Sequence, residues 1–219
     1  MSPSGSYQPL LGTTDKHDET NALEAFVRAF FSGRWTIRPV KVLSVTNDGG
    51  VSPIGRVSLL PLVQQVDGEG NVTSHATIYD APYMRIQGGA NAVILDPEVH
   101  DVGIAAFCDR DISVVKAAQE EGPPGSSRQA DPADAVYLGS ILAAAPTQYV
   151  RFSESGIELV SPVQVHIQAP AAVIDADTTI NGNLAINGGT VTNDGVNIGK
   201  THDHTLVTRG TDLSGPPST

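Results

Sequence analysis

Between Ile157 and Ile198, apolar residues recur with a two-residue period over a distance that no ordinary strand reaches. Ile157, Leu159, Val163, Val165, Ile167, Ala169, Ala171 and Val173 share one phase. The phase slips once at Val173-Ile174. Ile174, Ala176, Ile180, Leu184, Ile186, Val196 and Ile198 then hold the other, with Thr178 and Gly182 as small fillers. Successive side chains of an extended chain point to opposite faces, so this run offers one apolar edge several times longer than the roughly 5 or 6 residues of a typical strand. Its interruptions are short turn signals, Asn181-Gly182-Asn183 and Asn187-Gly188-Gly189, and it contains no aromatic residue.

A compact sandwich needs bulkier inward side chains than Val, Ile, Ala, Thr and Gly to fill the gap between its sheets. Small and β-branched residues meeting at a common axis suit a slender prism of intertwined chains instead. One chain cannot bury such a stripe by itself. The pattern therefore predicts an obligate homo-oligomer, most simply a homotrimer with three strands around one axis, and no folded monomer for this half.

The same register runs into the tail. In Val196-Asn-Ile-Gly-Lys-Thr-His-Asp-His, His202 and His204 are in step with Val196 and Ile198, so a continuing strand points both imidazoles inward. Three copies then supply six imidazole nitrogens in two layers, a ligand set for octahedral coordination. Zinc usually settles for four ligands, which makes iron(II) the first expectation among the metals that imidazole suits. Such a site leaves no open position and is structural. A bare His-x-His is a weak motif and more often marks surface histidines; phase, position and the inferred trimer carry the metal reading. Asp203 falls on the outward phase and is read as an acceptor for an imidazole N–H. Lys200 shares the inward phase, and an ammonium on a dry axis needs an anion, so a bend is expected at Gly199.

Upstream the texture is different. The first dozen residues are rich in Ser, Pro and Gly and are read as a flexible arm. Leu23, Phe26, Val27, Phe30 and Phe31 follow at helical spacing, with Glu24 and Arg28 on the other side. This predicts a short amphipathic helix within residues 1–34, covering one end of the next domain in preference to docking a partner. Residues 35–120 read as short strands at 36–45, 55–66, 72–79, 92–95 and 102–107, with another segment around Met84-Arg85-Ile86 and a short helix at 112–119. So many short strands suit a small closed barrel such as an OB-fold, and the fold class is all-β. Glu121-Gly-Pro-Pro-Gly-Ser-Ser-Arg signals a linker, so residues 121–150 are assigned to a linker or strap, 151–200 to a triple-stranded β-helix spike and 201–219 to its apex.

Composition narrows the function classes. A formal charge of −11 lacks the basic surplus that phosphate binding needs, so nucleic acid is not an expected partner. Cys108, the single cysteine, sits in an apolar run and is read as a small buried hydrophobe, in keeping with assembly in a reducing cytoplasm. No secretory signal is evident, and no apolar stretch approaches the ~20 residues of a membrane-spanning helix. His17, His75, His100 and His166 are scattered without ligand spacing, and Asp175-Ala-Asp177 reads as solvated charge before calcium ligation. No Ser/His/Asp arrangement or carboxylate pairing has a credible catalytic context, so no enzyme activity is expected.

These residues resemble a known family. The tail from Val196 to His204, followed by Ser214-Gly-Pro-Pro, resembles the apex of the central spike proteins of contractile-tailed phages and tailocins, the baseplate assembly protein V group. The segment Asp96-Pro-Glu-Val-His-Asp-Val-Gly-Ile-Ala-Ala-Phe-Cys-Asp-Arg-Asp-Ile resembles the N-terminal OB-type domain of the same group, and Asp131-Pro-Ala-Asp-Ala-Val-Tyr its strap. The resemblance covers most of the chain from about Trp35 onward. It implies a homotrimer in the tail baseplate of a virion, attached to hub proteins through its barrels and driven transiently through the host outer membrane. It also implies an iron-capped apex whose six ligands match His202 and His204 of each chain. One departure is His100-Asp101, where the group commonly has Gly-Asp, which is expected to alter a turn and not the fold. Some relatives carry a lysozyme domain between barrel and needle; the short linker here leaves no room for one.

Two other readings compete. A trimeric receptor-binding fibre tip would carry exposed aromatic patches, and none follow Tyr149 and Phe152. A non-heme iron metalloenzyme using His202, His204 and Asp203 as a facial triad needs an enclosing pocket and open coordination positions.

Overall fold

A computed structural model of the chain describes residues 19–67 and 70–199. They comprise two compact units, one ending at Pro162 and the other beginning at Val163. Strand accounts for 33% of the described residues and helix for 12%, compatible with the all-β class. The Ser/Pro/Gly-rich arm assigned to the first dozen residues lies outside the described residues.

The first unit is organised by strands in which inward and outward residues alternate. Five of them, β1 (Ile37–Val45), β2 (Arg56–Pro61), β3 (Ile78–Pro82), β4 (Val102–Phe107) and β5 (Ala135–Leu142), form one antiparallel sheet in the order β3-β2-β1-β4-β5. In β2 and β4 every second residue is buried, and Val57 and Leu59 on one strand join Ala105 and Phe107 on the other in a single core with Val40, Val42 and Tyr137. The outer strands meet. Tyr83, just past β3, bridges Tyr137 of β5 in parallel, and the Met84 N–H donates to the Tyr137 carbonyl at 2.8 Å. This contact occupies backbone groups that an open edge would offer to any passing strand.

Getting the outer strands together requires strong curvature, and the ladders are irregular where it is needed. The register shifts between Val42 and Ser44 against β2, and at two places along β4 and β5. Extra residues of this kind bend a strand and increase its twist. Where β4 and β5 cross closely, a Cβ on Gly103 would lie 2.2 Å from the Gly139 carbonyl oxygen and 2.3 Å from the Tyr137 hydroxyl. Only hydrogen fits there.

Expected strands at 36–45 and 102–107 and the short helix at 112–119 correspond to β1, β4 and α2 (Ser113–Ala118). The domain boundary differs. Residues 135–142, assigned from sequence to the linker or strap, form β5, which pairs with β4 and contributes buried Ala135 and Tyr137. The Pro-Pro-Gly signal before it is a crossing loop within the unit and not its end. Asp131 caps the 3-10 turn Pro132–Asp134 by accepting from the Ala133 N–H at 2.9 Å, and that turn delivers the chain into β5.

The N-terminal helix, α1 (Glu19–Ser32), forms where its spacing predicts, with Arg28 paired to Glu24 one turn away. Its apolar face is not the expected cover over the next domain: Leu23, Phe26, Phe30 and Phe31 are each half exposed or more. Periodicity establishes that a helix has an apolar side, but not what covers it. Cys108 is half-buried and not fully buried, and burial raises its thiol pKa.

Candidate functional site

After β5 the chain forms a hairpin, β6 (Tyr149–Ser153) paired with β7 (Gly156–Val160). Its register sets Val150 opposite Leu159 and Phe152 opposite Ile157, which puts four apolar side chains on one face. The other face holds Arg151 opposite Glu158, ion-paired at 2.6 Å, and Tyr149 opposite Val160. The apolar face is the uncovered one. Val150, Phe152, Ile157 and Leu159 are 55%, 74%, 69% and 58% exposed.

In the second unit the exposure is general. Every residue from 162 to 190 is exposed, and residues 161–191 lie in no helix or strand. Val163, Ile167, Val173, Ile174 and Leu184, all members of the apolar stripe, are among the most exposed large hydrophobic residues described. Val and Ile at alternate positions are strand-forming sequence. Here they have the composition of a strand, and among the described residues they lie in none.

The described part of this unit ends in a small hairpin, Thr192–Asn193 against Val196–Asn197. Asp194 and Gly195 join its arms with φ of 49° and 78°, the paired left-handed conformations of a type I′ turn, for which Asp-Gly is a preferred pair. The Ile198 N–H donates to the Val191 carbonyl at 2.8 Å and lengthens the ladder. The even phase of Val196 and Ile198 therefore belongs to a strand that has turned back, and the alternation is not one straight run into the tail. Asn193-Asp194-Gly195-Val196 was the signal for this turn. The predicted metal ligands His202 and His204, with Lys200 and Asp203, lie outside the described residues. Among the described residues no three His, Cys, Asp or Glu side chains are grouped as metal ligands.

Ionisable groups within the first unit are held by its own fold. Arg85 meets Asp96 at 2.5 Å with both side chains 3% exposed, and the Tyr83 hydroxyl donates to the same carboxylate oxygen at 2.6 Å. Burial opposes ionisation of Asp96, but the Tyr83 and Arg85 hydrogen bonds outweigh it and hold the carboxyl below its usual range. Asp111 and fully buried Asp134 share Arg128, at 2.9 and 3.2 Å. Hydrogen bonds from Ser113 and Ser126 lower the Asp111 pKa to about 2. His75, read as one of the scattered histidines, sits edge-on to Trp35 at 4.8 Å, and burial lowers its pKa. His100 adopts φ 83°, a left-handed conformation.

No protein-family model matches this chain, and no curated protein matches it significantly. No helix among the described residues is long and apolar enough to cross a membrane.

Proposed function

We propose that this protein is the central spike of a contractile phage tail or related tailocin, a structural homotrimer that pierces the host outer membrane mechanically. The observation that carries the reading is residues 162–190: a strand-forming apolar alternation in which every residue is exposed and none lies in a helix or strand. Identical chains offer partners of the same length and phase, and three of them bury the stripe along a common axis as a triple-stranded β-helix.

The first unit supports the same reading. A five-stranded antiparallel sheet ordered β3-β2-β1-β4-β5, with a parallel contact between its outer strands, has the strand order of an OB-type barrel. In the resembled family that domain attaches the spike to the tail hub. Iron would fall to His202 and His204. The donor chemistry fits, because two neutral imidazoles per chain give three copies a six-nitrogen set with no vacancy. When bound, the ion ties together chain ends that would otherwise fray.

Sheath contraction supplies the work, and the spike has to survive it. Strand pairing between chains and an apolar axis resist local opening. On the needle segment Glu154, Glu158, Asp175, Asp177, Asp194, Asp203 and Asp212 outnumber Arg151, Lys200 and Arg209, an acidic surface that discourages lasting adhesion to anionic lipid. Sedimentation equilibrium with metal analysis tests the proposal. The purified chain is expected as a trimer with about one iron per three copies, and the doubly substituted His202→Ala, His204→Ala protein as an iron-free trimer. A stable, folded monomer would sink the spike reading.

A further inference from the structure

We infer that His75 is a proton-operated latch: when neutral it holds the excursion between β2 and β3 against Trp35, and on taking up a proton it lets that excursion go. The inference concerns the first unit alone and does not depend on the trimeric reading.

Between Pro61 and Ile78 the chain leaves the sheet and pairs with itself in a short ladder, Gln65–Val66 against Val72–Thr73. At its start the excursion is tied to the sheet by the backbone, where the Leu62 N–H donates to the Pro39 carbonyl at 3.0 Å. Towards its end the tie is a side chain. His75 is half-buried while Val72, Thr73, Ser74 and Ala76 around it are exposed. Its imidazole packs edge-on to Trp35 with ring centres 4.8 Å apart, and Trp35 in turn packs on Phe107 of β4 at 4.9 Å. From β1 the Arg38 guanidinium lies over the Trp35 ring at 4.0 Å and reaches His75 Nε2 at 3.4 Å.

Arg38 determines which form of the ring fits. A guanidinium carries five donors and no acceptor, so Nε2 faces it with a lone pair and the proton of the neutral ring sits on Nδ1. The Gln65 side-chain amide, 2.8 Å from Nδ1, and the Val63 carbonyl lie on that side. A second proton, taken from solvent, goes to Nε2. It turns the acceptor into a donor aimed at a cation, so the hydrogen bond is lost and like-charge repulsion replaces it. Trp35 and Phe107 bring no compensating charge. Asp67, the described carboxylate of the excursion, is engaged by the Asn71 backbone and side-chain N–H groups at 2.8 and 2.9 Å. Burial first and Arg38 second lower the His75 pKa from 6.5, against the Val63 carbonyl. The released ring therefore binds its proton more readily than the latched one, and the latch is complete above 6.5 and weakens as the pH falls below it.

Trp35 is the single tryptophan of the chain, so its fluorescence in the purified full-length protein reads the latch. As the pH is lowered from about 8 to about 5, the emission is expected to shift to the red in a one-proton step with its midpoint below 6.5. Hydrogen exchange of residues 62–77, corrected for its intrinsic pH dependence, should speed up severalfold over the same range while β1 and β4 stay protected. His75→Gln keeps hydrogen-bonding capacity but cannot titrate, and should abolish both responses. Arg38→Gln removes the opposing charge and should move the midpoint upwards. A red shift that persists in His75→Gln, exchange of 62–77 that ignores pH in the unsubstituted protein, or a midpoint that Arg38→Gln leaves unmoved each overturns the inference. The exchange measurement needs no substitution and decides the matter even if a variant fails to fold.

Discussion

Asp111 shows how a single carboxylate anchors a loop that its sequence marks as a linker. It accepts from the Ser113 N–H at 2.9 Å and from the Ser126 hydroxyl at 2.6 Å, and it shares Arg128 with Asp134. Its pKa falls from 3.8 to about 2 in the folded protein, so the unfolded chain binds its proton more readily. The stabilisation is therefore complete above the unfolded value of 3.8 and lost as the pH falls towards 2. Asp111→Asn is expected to lower the urea midpoint at neutral pH, and the gap from the unsubstituted protein should narrow across that acid range. A gap that is constant with pH would show that the carboxylate charge contributes nothing. His100 is the other instructive residue. The chain there has φ 83°, with the His100 N–H donating to the Val42 carbonyl at 2.9 Å. The surrounding ladder holds a conformation that a non-glycine residue adopts only at a cost of ~1–2 kcal/mol.

Strands with a long, regular alternation were legible, and those whose role depends on a distant partner were not. The nine residues of β1 and the six of β4 carry their own signal. In β5 only the first residues alternate clearly, Ala135 and Tyr137 inward and Val136 half-buried, after which the strand is mostly exposed. Its membership of the sheet is decided by pairing with β4, 28 or more residues away in sequence from Phe107 to Ala135. Gly103 is the point of closest contact between those strands. Gly103→Ala is expected to destabilise the unit by about 2 kcal/mol or more, since the Gly139 carbonyl is backbone and cannot swing aside as a side chain would. Chemical denaturation would measure it, and an unchanged midpoint would mean that β4 and β5 separate easily. The helix α1 is the converse case: spacing fixed its existence, and nothing local fixed what its exposed Phe26, Phe30 and Phe31 face.

At the scale of the whole molecule the decisive fact is an imbalance between the two units. The first closes its strands around a core of its own, whereas every residue from 162 to 190 is exposed among the described residues. In an assembled trimer this segment should be the part most resistant to attack, despite its exposure in a single chain. Thermolysin, which cuts before Val, Ile and Leu, is expected to leave it intact in the native protein and to cut it rapidly once dilution or denaturant separates the chains. Rapid cutting of the native assembly within 162–190 would contradict an intertwined needle. The sequence by itself determined the β class, the period of the stripe and the presence of α1, because these follow from side-chain spacing and local backbone preference. Tertiary structure alone decided that residues 135–142 belong to the sheet and that the β6–β7 hairpin has one bare apolar face. Those outcomes depend on which distant groups pair, and hydrogen-bond register is a property of two segments at once, which no single stretch of sequence contains.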